Sequence, residues 1–214
     1  GKRLFEVGIH TTWITMVGDD HDDMISALQM ASQRADIIIT TGGLGPTNDD
    51  LTKKVIAQYF DNELILNEHV LHDLEDFFRR LGKPMADVNI EQAYVPRGAT
   101  VLRNKVGTAP AFKLEQDGVF YFVLPGVPHE MKYFLDEEVL PLLKDLSDDY
   151  IKFDILKTTG IAESDLFEKL ERLRGIDDEI RIAFLPRSLG VDIRITASGR
   201  SRDECIRKID HVKD

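Results

Sequence analysis

Two adjacent carboxylates directly behind a glycine-rich loop are the residues of this chain best placed to do chemistry. They close the run Thr40-Thr41-Gly42-Gly43-Leu44-Gly45-Pro46-Thr47-Asn48-Asp49-Asp50-Leu51-Thr52. Backbone amides in such a loop, backed by a helix N-terminus, form a ready site for phosphate or pyrophosphate. Gly42, Gly43 and Gly45 permit close backbone approach, and Thr41, Thr47 and Asn48 add polar contacts for a nucleotide. Asp49 and Asp50 would repel the same anion. A divalent cation between carboxylate and phosphate removes the conflict, because hard cations take oxygen ligands. One aspartate suffices to cap the helix, and Asp49 is well placed for it. Asp50 is then left as the candidate catalytic residue and metal ligand. The chemistry implied is metal-assisted, on a phosphorylated small molecule. A glycine-rich turn standing alone would as often be only a turn.

Two further stretches carry suitable groups. Asn104-Lys105-Val106-Gly107-Thr108-Ala109-Pro110 offers an amide, an ammonium and a hydroxyl around a glycine. Lys105 suits neutralisation of a phosphate and Thr108 donation to one, with Asn104 and Gly107 shaping the loop. Taken without the other motifs, this would read as a solvated loop. Pro125-Gly126-Val127-Pro128-His129-Glu130-Met131 is the third constellation, with Pro125 and Gly126 as candidate nucleotide contacts. Two readings of Glu130 stand level: an acid stabilised by the start of a helix, or a second metal ligand and catalytic base. His69 and His72 lie one helical turn apart without a third ligand and read as a solvated face. Residues 158–165 read as a strand end, a glycine turn and a helix cap.

These residues need elements to hold them. Asp36-Ile37-Ile38-Ile39 reads as a buried parallel strand, and Leu51, Val55, Ile56 and Tyr59 recur at helical spacing behind the loop. Ile9 to Val17 alternates and is β-branched, so it predicts a strand. Asp19 or Asp20 caps a helix over 21–34, and Asn67 opens another that runs to Leu81. Gln116-Asp117-Gly118 predicts a hairpin turn between strands 111–114 and 119–124. A helix over 129–143 follows the third constellation. Strands alternating with helices indicate an open, mostly parallel α/β sheet, whose ligands bind beyond the strand C-termini. After the polar break at 146–149, strands 151–158, 180–185 and 191–197 with a helix over 163–173 suggest a small α+β module. Pro186 to Gly190 would be its hairpin turn, and a last helix spans 202–213. The expected domains are 1–147 and 148–214.

The chain has 214 residues and a net charge of −11, with 38 acidic and 27 basic side chains. That balance argues against nucleic acid or an anionic membrane as partner. Cys205 is the only cysteine, which excludes a disulfide framework and a cysteine metal cluster. No apolar run approaches the ~18 residues of a membrane span, and the chain reads as cytoplasmic. Its opening residues 2–8 look like a helix tail ended by a glycine, and it closes inside a helix. It therefore reads as a fragment.

In order, these segments resemble the N-terminal part of the competence/damage-inducible protein CinA family, whose first domain is of the molybdopterin-binding (MoaB/MogA) type. The matching residues are Thr41 to Thr47 with Asp49 to Thr52, Asn89 with Gln92-Ala93, and Pro96 with Gly98-Ala99. Further matches are Asn104, Gly107 to Pro110, Leu124 to Gly126, Pro128 and Glu130-Met131. Gly160-Ile161, Glu163-Ser164, Leu185-Pro186 and Val191-Asp192 are similar to the family's small following domain. The family's opening strand and its C-terminal deamidase domain are not among these residues. The resemblance implies a three-layer, mostly parallel molybdopterin-binding-type fold with a small α+β domain after it. It also implies a metal-dependent pyrophosphatase that cleaves ADP-ribose-like dinucleotides to AMP and a sugar phosphate with Mg²⁺, Mn²⁺ or Co²⁺. The alternatives are molybdopterin binding with adenylyl transfer, or a non-catalytic nucleotide-binding module. The expected partners are a small nucleotide or pterin and a second copy of the chain.

Overall fold

The computed structural model describes residues 1–47, 49–144, 150–170 and 179–213. Two compact units result, one of Trp13–Val139 and one of Gly1–Thr12 with Leu140–Asp214. The boundary expected at 147/148 lies outside the described residues.

In the larger unit, helix α2 (His21–Ser32) follows helix α1 (Lys2–Phe5) of the smaller one. Asp20 caps α2, its carboxylate accepting from the amides of Asp22 at 2.9 Å and Asp23 at 3.0 Å. Strand β1 (Ile37–Thr41) and helix α3 (Thr52–Tyr59) flank the glycine loop. Next come β2 (Leu64–Leu66), α4 (Glu68–Arg80), a 3₁₀ turn (Asp87–Ala93), β3 (Tyr94–Pro96) and β4 (Thr100–Leu102). The hairpin β5 (Ala111–Gln116) and β6 (Val119–Leu124) leads into α5 (Pro128–Phe134) and a π-helical turn over Leu135–Val139. Asp117 and Gly118 both have positive φ, 52° and 80°, the geometry a two-residue hairpin turn needs to match strand twist.

The sheet order is β1-β6-β5-β4. β1 and β6 pair in parallel from Ile37↔Phe120 to Thr41↔Leu124, while β5 pairs antiparallel with both β6 and β4. Successive side chains of a strand face opposite ways. Tyr121 and Val123 of β6 join a core with Leu28 of α2, Ile38, Val55, Ile56 and Phe112. Phe122 and Leu124, facing the other way, are equally buried, so both faces of the sheet are covered. At the edge of the first core Tyr59 donates to Ser32 Oγ at 3.0 Å, and the Phe60 ring meets Tyr121 edge-on.

In the smaller unit, α6 (Leu140–Lys144), α7 (Glu163–Lys169) and α8 (Arg202–Lys213) accompany a sheet of β7 (Tyr150–Lys157), β8 (Ile180–Arg187) and β9 (Gly190–Gly199). Its order is β7-β9-β8, all antiparallel. Leu166 of α7, Val191, Ile193 and Ile195 of β9, and Cys205 and Ile209 of α8 form its core.

Four expectations change. The run Ile9–Val17 forms no strand; it is irregular, with Ile14 and Met16 at 84% and 96% exposure. Alternation makes a strand only where a neighbour supplies hydrogen-bond partners, and no described strand lies beside this run. The helix after the glycine loop begins at Thr52. Its N-cap position falls on Leu51 with no side-chain cap, so Asp49 is exposed and does not cap it. The helix expected over 129–143 is interrupted by the π-helical turn. In the smaller unit the hairpin turn is tighter, because Arg187 already pairs with Gly190 and leaves Ser188-Leu189 as the loop.

Phe112 has no exposed surface and belongs to the larger core, which joins residues of helices and sheet. Phe112→Ala is expected to cost about 3–5 kcal/mol in urea unfolding, as cavity-forming aromatic truncations do.

Candidate functional site

The parallel register of β1 on β6 sets Thr41 opposite Leu124, so the loops after both strands leave the sheet at one edge. The Gly42 amide donates to the Leu124 carbonyl at 3.0 Å. A β-carbon on Gly126 would come within 3.1 Å of Gly42 Cα. Glycine at 126 thus lets the third constellation lie against the first.

Pro128 occupies the first turn of α5 and Glu130 follows in the same turn, buried to 5% exposure. Its Oε1 accepts from the Thr108 amide at 3.1 Å. A β-carbon at Gly107 would overlap that carboxylate. The second constellation is tied in there. Asn104 shapes this loop, its Nδ2 donating to the Ala109 carbonyl at 2.8 Å and its Oδ1 accepting from the Val106 amide at 3.0 Å. His129 Nε2 lies 3.3 Å from the Val106 carbonyl, a second link between the loops.

From Thr108 the contacts return to the start. Gln92, buried, donates through Nε2 to Thr108 Oγ1 at 3.3 Å. The neighbouring Glu91 carbonyl accepts from the Lys53 ammonium. Thr52, beside Lys53, donates its amide to the Gly43 carbonyl at 3.2 Å, and a β-carbon on Gly43 would overlap the Thr52 side chain. The three constellations form a closed ring of contacts: Gly42–Gly126, Glu130–Thr108, Thr108–Gln92, Glu91–Lys53 and Thr52–Gly43.

Within the ring the candidate groups differ in circumstance. Gly42 and Gly43 hold φ of 104° and 64°, a region glycine enters without steric cost. A β-carbon on Gly42 would meet open space. Thr41, Thr47, Lys105 and Gly126 are exposed, and Pro125 is buried. Asp50 accepts from Thr47 twice, from its amide at 2.9 Å and its hydroxyl at 2.6 Å. Its carboxylate occupies the space a β-carbon on Gly45 would take. Partial burial pushes the Asp50 carboxyl up, but the Thr47 hydroxyl, the Thr47 and Gly45 amides and the Lys53 charge outweigh it, leaving a pKa below the ordinary value. Asp50 is therefore ionised at neutral pH. Asn48 lies outside the described residues.

Burial takes Lys53 the other way, down to about 8. This lysine, Thr52 and Gln92 are ring members that the loop chemistry did not single out. Lys53 and Thr52 sit inside what reads as an ordinary helix start, and Gln92 entered only as a matching position. Their polarity among apolar neighbours was the available signal. Thr40 Oγ1 and Gln92 Oε1 are buried without a hydrogen-bond partner among the described residues. Buried polar atoms of this kind are completed by water or ligand.

For a divalent cation, no group of three or more His, Cys, Asp or Glu among the described residues is arranged as a cage. Magnesium-type sites commonly use one or two carboxylates with waters and substrate phosphates. Asp50, ionised and half-buried on the first loop, fits that pattern. Glu130 is buried and engaged with Thr108. Beside Asn104, Gly107 and Thr108 a cavity of about 20 Å³ opens, room for a single water. It shares Val70, Asp73, Val101 and Arg103 with a groove of about 260 Å³ along α4.

Residues 1–145 match the family described as "Probable molybdopterin binding domain", and residues 154–214 match "Damage-inducible protein CinA KH domain". The fold and loops thus define a molybdopterin-binding-type α/β domain followed by a small second domain. The chain belongs to the CinA family. It is 40% identical over 207 residues to a putative competence-damage inducible protein of Caldicellulosiruptor saccharolyticus, covering 97% of this chain and 50% of that one. A protein of the same description from Clostridium beijerinckii is 38% identical over 213 residues, covering 100% and 52%. The chain thus spans about half the length of the curated relatives it matches. The crystal structure of the protein CinA with unknown function from Thermoplasma acidophilum superposes with a TM-score of 0.52 at 30% identity, over 60% of this chain and 73% of that one. No described helix is long and apolar enough to cross a membrane.

Two outcomes follow from the ring. Gly107→Ala should displace the Glu130 carboxylate and cost about 1–3 kcal/mol, the loss expected when a buried polar group is left unpaired; an unchanged Tm would refute the contact. The second concerns pH. Lys53 is lowered to about 8 from 10.5, so between those values the unfolded chain keeps a proton the folded one has shed. Stability is then depressed throughout the range below pH 8 and recovers as pH rises from 8 towards 10.5. Lys53→Met should remove that rise, seen as a wild-type minus variant difference in urea unfolding that grows across this window.

Proposed function

We propose that this chain is a metal-dependent nucleotide pyrophosphatase that cleaves ADP-ribose-like dinucleotides to AMP and a sugar phosphate. The observation that carries the reading is the closed ring, which gathers a glycine loop, an ionised aspartate and an Asn-Lys-Gly-Thr loop at one sheet edge. Orphaned polar atoms at Thr40 and Gln92 support it, since both lie next to these loops.

A divalent cation, Mg²⁺, Mn²⁺ or Co²⁺, would screen the diphosphate from the carboxylates and supply an acidified water. Asp50 would hold it, with the remaining ligands from phosphate and water. Gly42, where a β-carbon would meet open space, lets the diphosphate approach the backbone, while Gly43 and Gly45 fold the loop closely against Thr52 and Asp50. Thr41 and Thr47 line its path, and Pro125 and Gly126 wall it from the neighbouring strand. Lys105 offsets phosphate charge from the opposite loop. Thr108 Oγ1 already accepts from Gln92, so its O–H is the half left to donate to a phosphate oxygen. Glu130 contributes by holding the Thr108 amide, and so the position of that hydroxyl. A pterin ligand is the second reading, favoured by the molybdopterin-binding description of residues 1–145.

The test is AMP release from ADP-ribose with each metal in turn. Asp50→Asn keeps an acceptor for Thr47 and so keeps the turn. It is expected to abolish release and to lower Tm by no more than a few degrees, for the loss of the charge-assisted bonds from Thr47 and Gly45, while the protein stays folded. Full turnover by this variant would remove Asp50 from the chemistry. No release by wild type, together with a rise in Tm on adding pterin, would favour the second reading.

A further inference from the structure

The groove along α4 plays no part in the chemistry above. Its volume of about 260 Å³ falls below the ~300–1,000 Å³ typical of sites that enclose a whole drug-sized ligand. It suits one portion of a dinucleotide. Its lining includes His69, Val70, His72, Asp73, Val101 and Arg103. The small cavity beside Asn104, Gly107 and Thr108 shares four of these, Val70, Asp73, Val101 and Arg103, and makes the groove continuous with the second loop of the site.

The chemistry of this lining is specific. Arg103 grips Asp73 with two parallel bonds, Nε donating to Oδ2 at 2.7 Å and Nη2 to Oδ1. That pairing cancels the charge of both, so the groove is not built for an anion. The first amides of α4 add no phosphate seat either, because Asn67 Oδ1 already accepts from those of His69 and Val70. What the pair still offers is a mixture. Three guanidinium N–H groups and two carboxylate lone-pair positions remain after the mutual bonds. The imidazole of His69 adds one donor and one acceptor when neutral; His72 offers only Nε2, because its Nδ1 lies 3.5 Å from the Asp76 carboxylate. Val70, buried, and Val101, half-buried, supply apolar surface among them. Interleaved donors and acceptors beside an apolar patch match a sugar ring, whose hydroxyls each donate and accept and whose C–H face is apolar.

We infer that the α4 groove is a sugar subsite. A pentose attached to the diphosphate lies against Val70 and Val101, and the Asp73–Arg103 pair holds its vicinal hydroxyls. The inference rests on the proposed seating of the diphosphate on the glycine and Asn104–Thr108 loops. It adds that the non-adenylyl half leaves those loops along α4.

Calorimetry with ribose 5-phosphate, 2-deoxyribose 5-phosphate and AMP tests it, on wild type, Asp73→Asn and Arg103→Met. Arg103 is exposed and Asp73 half-buried, and Asp73→Asn keeps an acceptor for the guanidinium, so the fold is expected to survive both changes, checked by an unfolding curve of each variant. Wild type should bind ribose 5-phosphate about tenfold more tightly than the deoxy sugar, the discrimination one hydroxyl contact gives in a partly wet site. Both variants should lose that preference and keep their AMP affinity. With ADP-ribose, Asp73→Asn should raise KM severalfold while kcat changes little. Absence of ribose 5-phosphate binding to wild type, or a preference retained in both variants, would overturn the subsite. If wild type releases no AMP yet shows an Asp73-dependent preference for the ribose form, the pyrophosphatase reading fails and the subsite stands. If AMP is released and KM is the same in Asp73→Asn, the subsite fails and the pyrophosphatase stands.

Discussion

The parallel pairing of β1 with β6 is the constraint from which the rest of the site follows. Because Thr41 and Leu124 end level, two loops must leave the same edge and share the space just beyond it. They fit only because Gly126 presents no side chain to Gly42. The same chain direction then starts α5 at Pro128, whose fixed φ suits a first helical turn, and delivers Glu130 inward two residues later. A buried carboxyl group needs hydrogen-bond partners, and the Thr108 amide is within reach because the loop is glycine at 107. The antiparallel register Leu102↔Ala111 anchors both ends of that loop. One strand pairing therefore propagates, by contact after contact, to a loop of the opposite hairpin.

Much of this was legible in residue order because its causes are local. The Asp117-Gly118 turn, the Asp20 and Asn67 caps and the last helix all depend on neighbours in sequence. Glycine positions were legible as well, though the reason for each was not. Gly43 clears Thr52, Gly45 clears Asp50, Gly107 clears Glu130 and Gly126 clears Gly42. All four partners are at least five residues away, so composition shows the need for a small residue without showing what approaches it.

Where residue order misled, a tertiary partner decided the outcome. Ile9–Val17 has the alternation of a strand, and no described strand pairs with it, so its apolar side chains stay in solvent. Asp49 has the composition of a cap. The loop instead uses Asp50 to close a turn on Thr47, which moves the helix start to Thr52. Lys53 and Gln92 are hidden for the complementary reason. Their roles come from the 3₁₀ turn, whose Glu91, 38 residues after Lys53, accepts from it through its carbonyl and whose Gln92 side chain reaches Thr108.

Burial separates the two carboxylates that the sequence left side by side as metal ligands. Glu130, at 5% exposure, is committed to Thr108, and a cation taking it over would leave that amide unpaired and the Asn104–Thr108 loop released. Asp50 is half-exposed and already ionised, so in the proposed function it can bind a hydrated cation without desolvating it, which Mg²⁺ resists. The cationic side chains divide in the same way. Lys53 is buried and its ammonium is given to a backbone carbonyl, so it steadies the ring and cannot reach a ligand without breaking it. Lys105 is exposed and remains available. In the proposed function, an acidic chain of net charge −11 would therefore hold a diphosphate through backbone amides, one exposed lysine and a borrowed cation. A diphosphate seated this way is held by loop geometry more than by basic charge, and its affinity should depend less on ionic strength than that of a protein using a basic patch.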